Sequence, residues 1–230
     1  MTVTAAQPAV ATGELVANIE RHAAMVDRAS GRVVVFPELS LTGYDLGSAP
    51  VDPVDDRLAP LVGACARRGA VALVGAPTVD VDGAHLSMLA VDGRGVRVAY
   101  RKMYLGADEA ARFVPGAEPQ AIDVGGWRLG LAICRDTGLA EHAERTMALR
   151  IDAYVAGVCE HAADRHVVEE RAVRITAAHR VPVVVASFAG STGEGYDPAA
   201  GGSGIWAATG ANLVRAGPEP DRLVEATLRR

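Results

Sequence analysis

Three residues able to do covalent and proton-transfer chemistry each follow directly on an apolar, strand-like run. Cys134 ends Leu129-Gly130-Leu131-Ala132-Ile133 and is followed at once by Arg135-Asp136-Thr137-Gly138, the pattern of a strand entering a tight turn before a helix. A side chain at such an elbow is held rigidly at the sheet's edge, and the amides beyond it can point at a developing oxyanion. A following helix and a nearby cation would also favour the thiolate. Glu38 closes Val33-Val34-Val35-Phe36-Pro37, where proline stops the ladder and the carboxylate emerges at a strand end. Lys102 follows the run 96–100 within Tyr100-Arg101-Lys102. Taken singly, each has a plain reading: a buried structural thiol, a capping or solvated acid, a solvated ammonium. Together, an acid, an ammonium and a thiol beyond three separate strands supply a proton acceptor, an oxyanion partner and a nucleophile.

The elements that must position these groups alternate along the chain. Strands are predicted at 2–6, 32–36, 71–75, 85–91, 96–100, 128–133, 153–158, 183–187 and 203–208, and helices at 15–29, 58–68, 141–150 and 164–179. The first helix gathers Leu15, Val16, Ile19, Ala23 and Val26 on one face, the 3.6-residue period of a helix lying on a sheet. Asp92-Gly93 and Gly95 between two strand-like runs read as a hairpin turn. This order argues for one layered α/β domain over residues 1–230 with a mixed sheet and no linker or repeat to divide it. The stretch 189–204, rich in Gly, Ser and Thr, is too long for an ordinary turn and is expected to be a surface or site-covering loop.

Bulk properties restrict the function further. A chain of 230 residues that is 50% hydrophobic can bury a sizeable core. A net charge of −5 with mixed signs throughout, and only three Phe, five Tyr and two Trp, leave no basic stripe and little material for base stacking, so no nucleic-acid partner is expected. Residues 1–10 hold no cation before an apolar run, and no later stretch is apolar for long enough to span a bilayer. The expectation is a cytoplasmic protein without a membrane partner. Three cysteines, Cys65, Cys134 and Cys159, are an odd number and point to reduced thiols. His161, Asp164 and His166 match no zinc spacing, no phosphate or dinucleotide fingerprint follows a strand, and Gly201-Gly202-Ser203-Gly204-Ile205 lacks the last glycine of a serine-hydrolase elbow. Neither a metal nor a cofactor is expected.

The three segments around Glu38, Lys102 and Cys134 resemble, in order, the signature segments of the carbon-nitrogen hydrolase (nitrilase) superfamily. Val35-Phe36-Pro37-Glu38-Leu39 with Thr42-Gly43-Tyr44, then Tyr100-Arg101-Lys102, then Leu131-Ala132-Ile133-Cys134-Arg135-Asp136 carry the likeness. It continues in Glu109 and Phe113-Val114-Pro115-Gly116, similar to the family's second glutamate and F-x-P-G turn. It extends further to Glu141, Asp152, Arg171-Ala172 and Gly201-Gly202-Ser203, and so covers nearly the whole chain. The resemblance implies a four-layer α-β-β-α sandwich and a homodimer or higher homo-oligomer. It also implies hydrolysis of a non-peptide carbon–nitrogen bond in a small amide or carbamoyl amine, through a thioester on Cys134. Glu38 would be the proton acceptor, Lys102 with the Arg135 amide the oxyanion site, Glu109 the group orienting Lys102 or the substrate, and Tyr44 a wall of the pocket.

Arg135 and Ala140 stand where the family usually has an aromatic or small residue and a proline. The guanidinium of Arg135 is therefore a candidate contact for an acidic substrate. Cys159-Glu160-His161 follows the 153–158 strand, a place that often walls the pocket in relatives, and is either a specificity loop or surface. Acyl transfer to an amine and nitrile hydrolysis would use the same triad. An isochorismatase-like hydrolase would lack the F-P-E opening and the second glutamate. A catalytically silent binding module on this fold is the non-enzyme alternative.

Overall fold

The structure is a computed structural model that describes residues 1–230. Two six-stranded mixed sheets face each other. The first contains β1 (Thr2–Gln7), β2 (Val33–Val35), β3 (Val71–Asp80), β4 (Gly83–Asp92), β5 (Gly95–Arg101) and β14 (Arg222–Thr227), in the order β14-β1-β2-β3-β4-β5. The second contains β6 (Ala121–Val124), β7 (Trp127–Ile133), β8 (Ala153–Val158), β9 (Val183–Ser187), β12 (Gly204–Trp206) and β13 (Asn212–Arg215), in the order β13-β12-β9-β8-β7-β6. A small hairpin, β10 (Ala189–Gly190) with β11 (Ala199–Ala200), stands apart. The helices are α1 (Leu15–Arg28), α2 (Ala59–Arg68), the single turn α3 (Ala107–Ala110), α4 (Ala140–Met147) and α5 (Arg165–His179).

The continuous apolar runs are explained by burial on both strand faces. Val33 and Val35 of β2 join Leu129, Leu131 and Ile133 of β7 and Val155 of β8 in the core between the sheets. The alternate residues Val34 and Phe36 turn outward, onto Ile19 and Val26 of α1 and Leu61 and Ala64 of α2. On the other side, Ala132, Tyr154 and Ala156 meet Ala143 of α4 and Val168, Ala172 and Ile175 of α5. Helix, sheet, sheet and helix therefore stack as the expected four-layer α-β-β-α sandwich. Cys65 lies in the α1–α2 layer, fully buried.

All nine predicted strands and four predicted helices exist, with ends moved by a few residues, and Asp92 pairs with Gly95 across the predicted hairpin. Five strands have no counterpart among those the sequence predicts, the two-residue β10 and β11 inside the expected 189–204 loop among them. Of these β6 and β13 are only four residues long, and β14 is half exposed at the sheet edge, where it pairs with β1. Their patterns are too short or too polar to stand above loop sequence. No helix is long and apolar enough to cross a membrane.

Candidate active site

Four chain segments converge where β2, β5, β7 and β8 end, all at their C-terminal ends, the usual place for reagents in an α/β sheet. Pro37 limits β2 to three residues, and the chain then turns through Leu39 at φ 53°. Two glycines make room for that turn. A Cβ on Gly75 of β3 would stand 2.2 Å from the Leu39 nitrogen, and one on Gly157 of β8 would stand 2.6 Å from the Phe36 carbonyl oxygen. The segment carrying Glu38 is thus clasped between one strand of each sheet.

Lys102 is fixed by its own backbone, which donates to Leu86 O and accepts from Gly116 N, each at 2.8 Å. Gly116, in the F-x-P-G turn, approaches so closely that a Cβ there would lie 2.3 Å from Arg101 O. The Lys102 ammonium is 1% exposed and donates to Glu38 Oε1 at 2.7 Å and Glu109 Oε1 at 2.6 Å. Glu109 also accepts the Tyr44 hydroxyl at 2.7 Å on that oxygen and the Gly106 amide at 2.7 Å on Oε2.

Cys134 follows β7 at φ 41°, a left-handed conformation that a non-glycine residue adopts under strain. The element beyond it is a five-residue 3-10 turn, Cys134–Gly138, and α4 begins only at Ala140. The expected help to the thiolate from a following helix is therefore missing at this elbow. Inside the turn, the buried carboxylate of Asp136 accepts Ile133 N at 2.9 Å, Tyr104 N at 3.0 Å and the Tyr100 hydroxyl at 2.7 Å. Those bonds tie the elbow of Cys134 to the segment carrying Lys102. Nothing in the sequence pairs Asp136 with Tyr100 and Tyr104, so this tie is visible only in the fold.

The electrostatics divide the two glutamates. Burial raises the Glu38 carboxyl to about 7, with the Lys102 ammonium acting against it and Glu109 with it. Its Oε2 is buried without a hydrogen-bond partner. Burial also works against charge on Glu109, but Lys102 and the bonds from Gly106 and Tyr44 outweigh it and hold that carboxyl below its usual range. Burial opposes charge on Lys102 as well, and the negative charge around it prevails and holds the ammonium protonated. For Cys134, burial and the charge of Glu38 push the thiol well above its ordinary value despite Lys102. These surroundings favour the thiol over the thiolate.

A cavity of about 370 Å³ opens over these groups. Lys102, Glu109, Tyr44, Cys134 and Arg135 lie on its wall, and Glu38 is buried behind Lys102. Arg135 is exposed at the mouth. Cys159 packs its thiol among Leu39, Tyr44, Phe113 and Phe188, while its carbonyl oxygen receives the Cys134 thiol at 3.3 Å. Cys159, Glu160, His161 and Arg171 and, from the loop over the site, Tyr196 also lie on the wall. The Tyr196 ring packs edge-on to Tyr44 and stacks on His161 at 4.1 Å. Tyr196 could not be placed from sequence, because it lies far along the chain in a stretch without periodicity.

Residues 2–230 match the family described as Carbon-nitrogen hydrolase. The chain belongs to this family. It is 30% identical over 142 residues to a protein of Pseudomonas protegens described as "Hydrolase in pqqF 5'region", a stretch covering 57% of this chain and half of that relative's length. Among solved structures it is similar to Saccharomyces cerevisiae Nit3, a member of branch 10 of the nitrilase superfamily, with a TM-score of 0.87 at 20% identity over 98% of this chain and 89% of that one. A mutant of the amidase from Nesterenkonia sp. AN1, showing the Michael addition of acrylamide at the active-site cysteine, superposes with a TM-score of 0.84 at 22% identity over 100% of this chain and 93% of that one. The chain therefore shares the fold of these nitrilase-superfamily structures.

Proposed function

We propose that this carbon-nitrogen hydrolase cleaves the non-peptide carbon–nitrogen bond of a small amide or carbamoyl amine through a thioester on Cys134. The observation that carries this is Lys102, whose ammonium is shared between Glu38 and Glu109 on the cavity whose wall also includes Cys134. A fixed, desolvated ammonium is a strong partner for an oxygen that gains charge during attack. The active-site cysteine adduct in the related amidase adds support for a nucleophilic role. The volume, about 370 Å³, suits a small substrate.

Glu38 takes the Cys134 proton on its free Oε2 as sulfur bonds to the carbonyl carbon, and the carbonyl oxygen becomes an oxyanion beside Lys102 and the Arg135 amide. The carbon–nitrogen bond then breaks, and Glu38 returns the proton to the departing nitrogen, which leaves as ammonia or an amine. Water next attacks the thioester, giving a proton to Glu38. The carbon–sulfur bond breaks, and that proton restores the Cys134 thiol beside the free acid.

A panel of small amides, ureas and nitriles assayed for ammonia, with intact-protein mass spectrometry of the quenched reaction, tests this reading. An acyl adduct is expected on the parent and on the Cys65→Ala and Cys159→Ala variants, since both of those cysteines are buried in apolar clusters. Cys134→Ala should show neither adduct nor turnover, and an adduct persisting there would overturn the assignment. Faster ammonia release on adding an amine would instead indicate acyl transfer.

A further inference from the structure

One side chain beside the nucleophile belongs to none of the reagents above. Cys134 Sγ lies 3.8 Å from Glu160 Oε1, just beyond the Cys159 carbonyl oxygen at 3.3 Å. Glu160 is held on every side. Its carbonyl accepts Ala200 N at 2.8 Å, and the next residue, His161, forms a β-bridge with Ala199 in the loop over the site. Arg171 of α5 donates to its Oε1 at 2.5 Å and reaches Thr137 Oγ1 at 3.4 Å, inside the nucleophile's own turn. Arg174 fastens α5 to the same turn by donating to Thr137 O at 2.6 Å. Helix α5 thereby fixes the Glu160 carboxylate relative to the Cys134 sulfur.

A carboxylate offers about four acceptor positions, and Arg171 engages Glu160 through a single nitrogen. Both that nitrogen and the Cys134 thiol meet Oε1, Oε2 carries no hydrogen bond, and Glu160 lies on the cavity wall. Arg171 offsets its charge, so what the pair presents is directional hydrogen bonding more than net attraction. During attack the leaving nitrogen must turn toward Glu38, which protonates it, and the oxygen toward Lys102. The acyl side of the carbonyl carbon then falls toward Cys159 O and Glu160.

We propose that Glu160, anchored by Arg171, is a substrate-recognition residue that accepts an N–H from the acyl side of the scissile carbonyl. The protein accordingly selects ureido or amino-bearing amides over hydrocarbon amides of the same size. This rests on the reading that Cys134 attacks a carbonyl carbon. A hydrocarbon acyl group would desolvate the carboxylate without pairing it, which lowers affinity by about tenfold or more.

Protection of Cys134 from iodoacetamide, followed by mass spectrometry on the whole protein, tests the idea with three probes of equal heavy-atom count: N-methylurea, glycinamide and propionamide. At least one N–H-bearing probe should protect at a roughly tenfold lower concentration than propionamide, and the better of the two tells a ureido group from an amino group. Glu160→Leu should bring all three probes together, and Arg171→Lys, which keeps the cation but loosens its geometry, should narrow the preference. Equal protection by the three probes in the parent, or a preference unchanged in Glu160→Leu, overturns the proposal. Because protection reads binding, a preference without ammonia release would leave Glu160 standing and remove the hydrolytic reading, and turnover without a preference would do the reverse.

Discussion

Glu109 Oε1 lies 2.6 Å from Lys102 Nζ, a contact that the seven-residue step between them makes possible by turning back through α3. Both groups are buried, so the carboxylate fixes the position of the ammonium as well as balancing its charge. Its effect should be greatest when Lys102 meets an oxyanion. Glu109→Gln is expected to fold with its melting temperature changed by no more than a few degrees and to lose on the order of a hundredfold in kcat, with a smaller change in KM. Asp108→Asn, next to it but exposed, should stay within a few-fold. Equal behaviour of the two variants would leave Glu109 without a catalytic part.

Glu38 provides a pH test. Its carboxyl is raised by burial from an ordinary 4.5 to about 7, and only the ionised form can accept the thiol proton. Activity should therefore be lost as pH falls through about 7. Stability runs the other way. The folded state holds this proton more tightly than the unfolded chain, so the contribution is fully present below 4.5 and lost as pH rises through about 7. Denaturant titrations should show parent stability falling from pH 5 to 8 relative to Glu38→Gln. A difference that is flat across this range would contradict the assignment.

Gly75 and Gly157 should matter for activity beyond their effect on stability. An added Cβ meets backbone at 2.2 Å in the first case and 2.6 Å in the second, and both collisions push on the segment that holds Glu38. Gly75→Ala should cost about 1–3 kcal/mol or more and reduce kcat further than that loss alone explains at a temperature where the protein remains folded. Gly93→Ala, which meets Ala66 at 3.0 Å on the far helix layer, should lower stability modestly and keep the parent's rate. Similar kcat values for the two folded variants would refute a positioning role for Gly75.

Arg135 is exposed at the cavity mouth and forms no ion pair with any carboxylate of the chain. Arg135→Tyr is expected to raise KM for an anionic amide up to about fivefold, the reach of an exposed charge contact, and to leave a neutral amide of equal length unchanged. Higher salt should erase the difference. Equal effects on both amides would place the guanidinium in solvent during the reaction.

The sequence by itself determined the α/β character of the chain and where its candidate reagents stand. Apolar runs such as Val33-Val34-Val35 and Leu129-Gly130-Leu131-Ala132-Ile133 call for strands buried on both faces, and the period of Leu15, Ile19, Ala23 and Val26 lays a helix on a sheet. That gives a layered α/β domain, while the four-layer sandwich is what the family likeness of the signature segments implies. A break after each run then placed Glu38, Lys102 and Cys134 at strand ends, because proline or a polar residue halts the ladder where the side chain emerges. The tertiary structure alone decided which groups meet. Glu160, Arg171 and Tyr196 reach the cavity by pairings across 25 or more residues of chain from Cys134, and no local pattern encodes such distances. The titration behaviour belongs to the tertiary structure for the same reason. Glu38 and Glu109 are both glutamates near one lysine, and only the depth of burial and the donors around each hold one carboxyl near 7 and the other below its usual range.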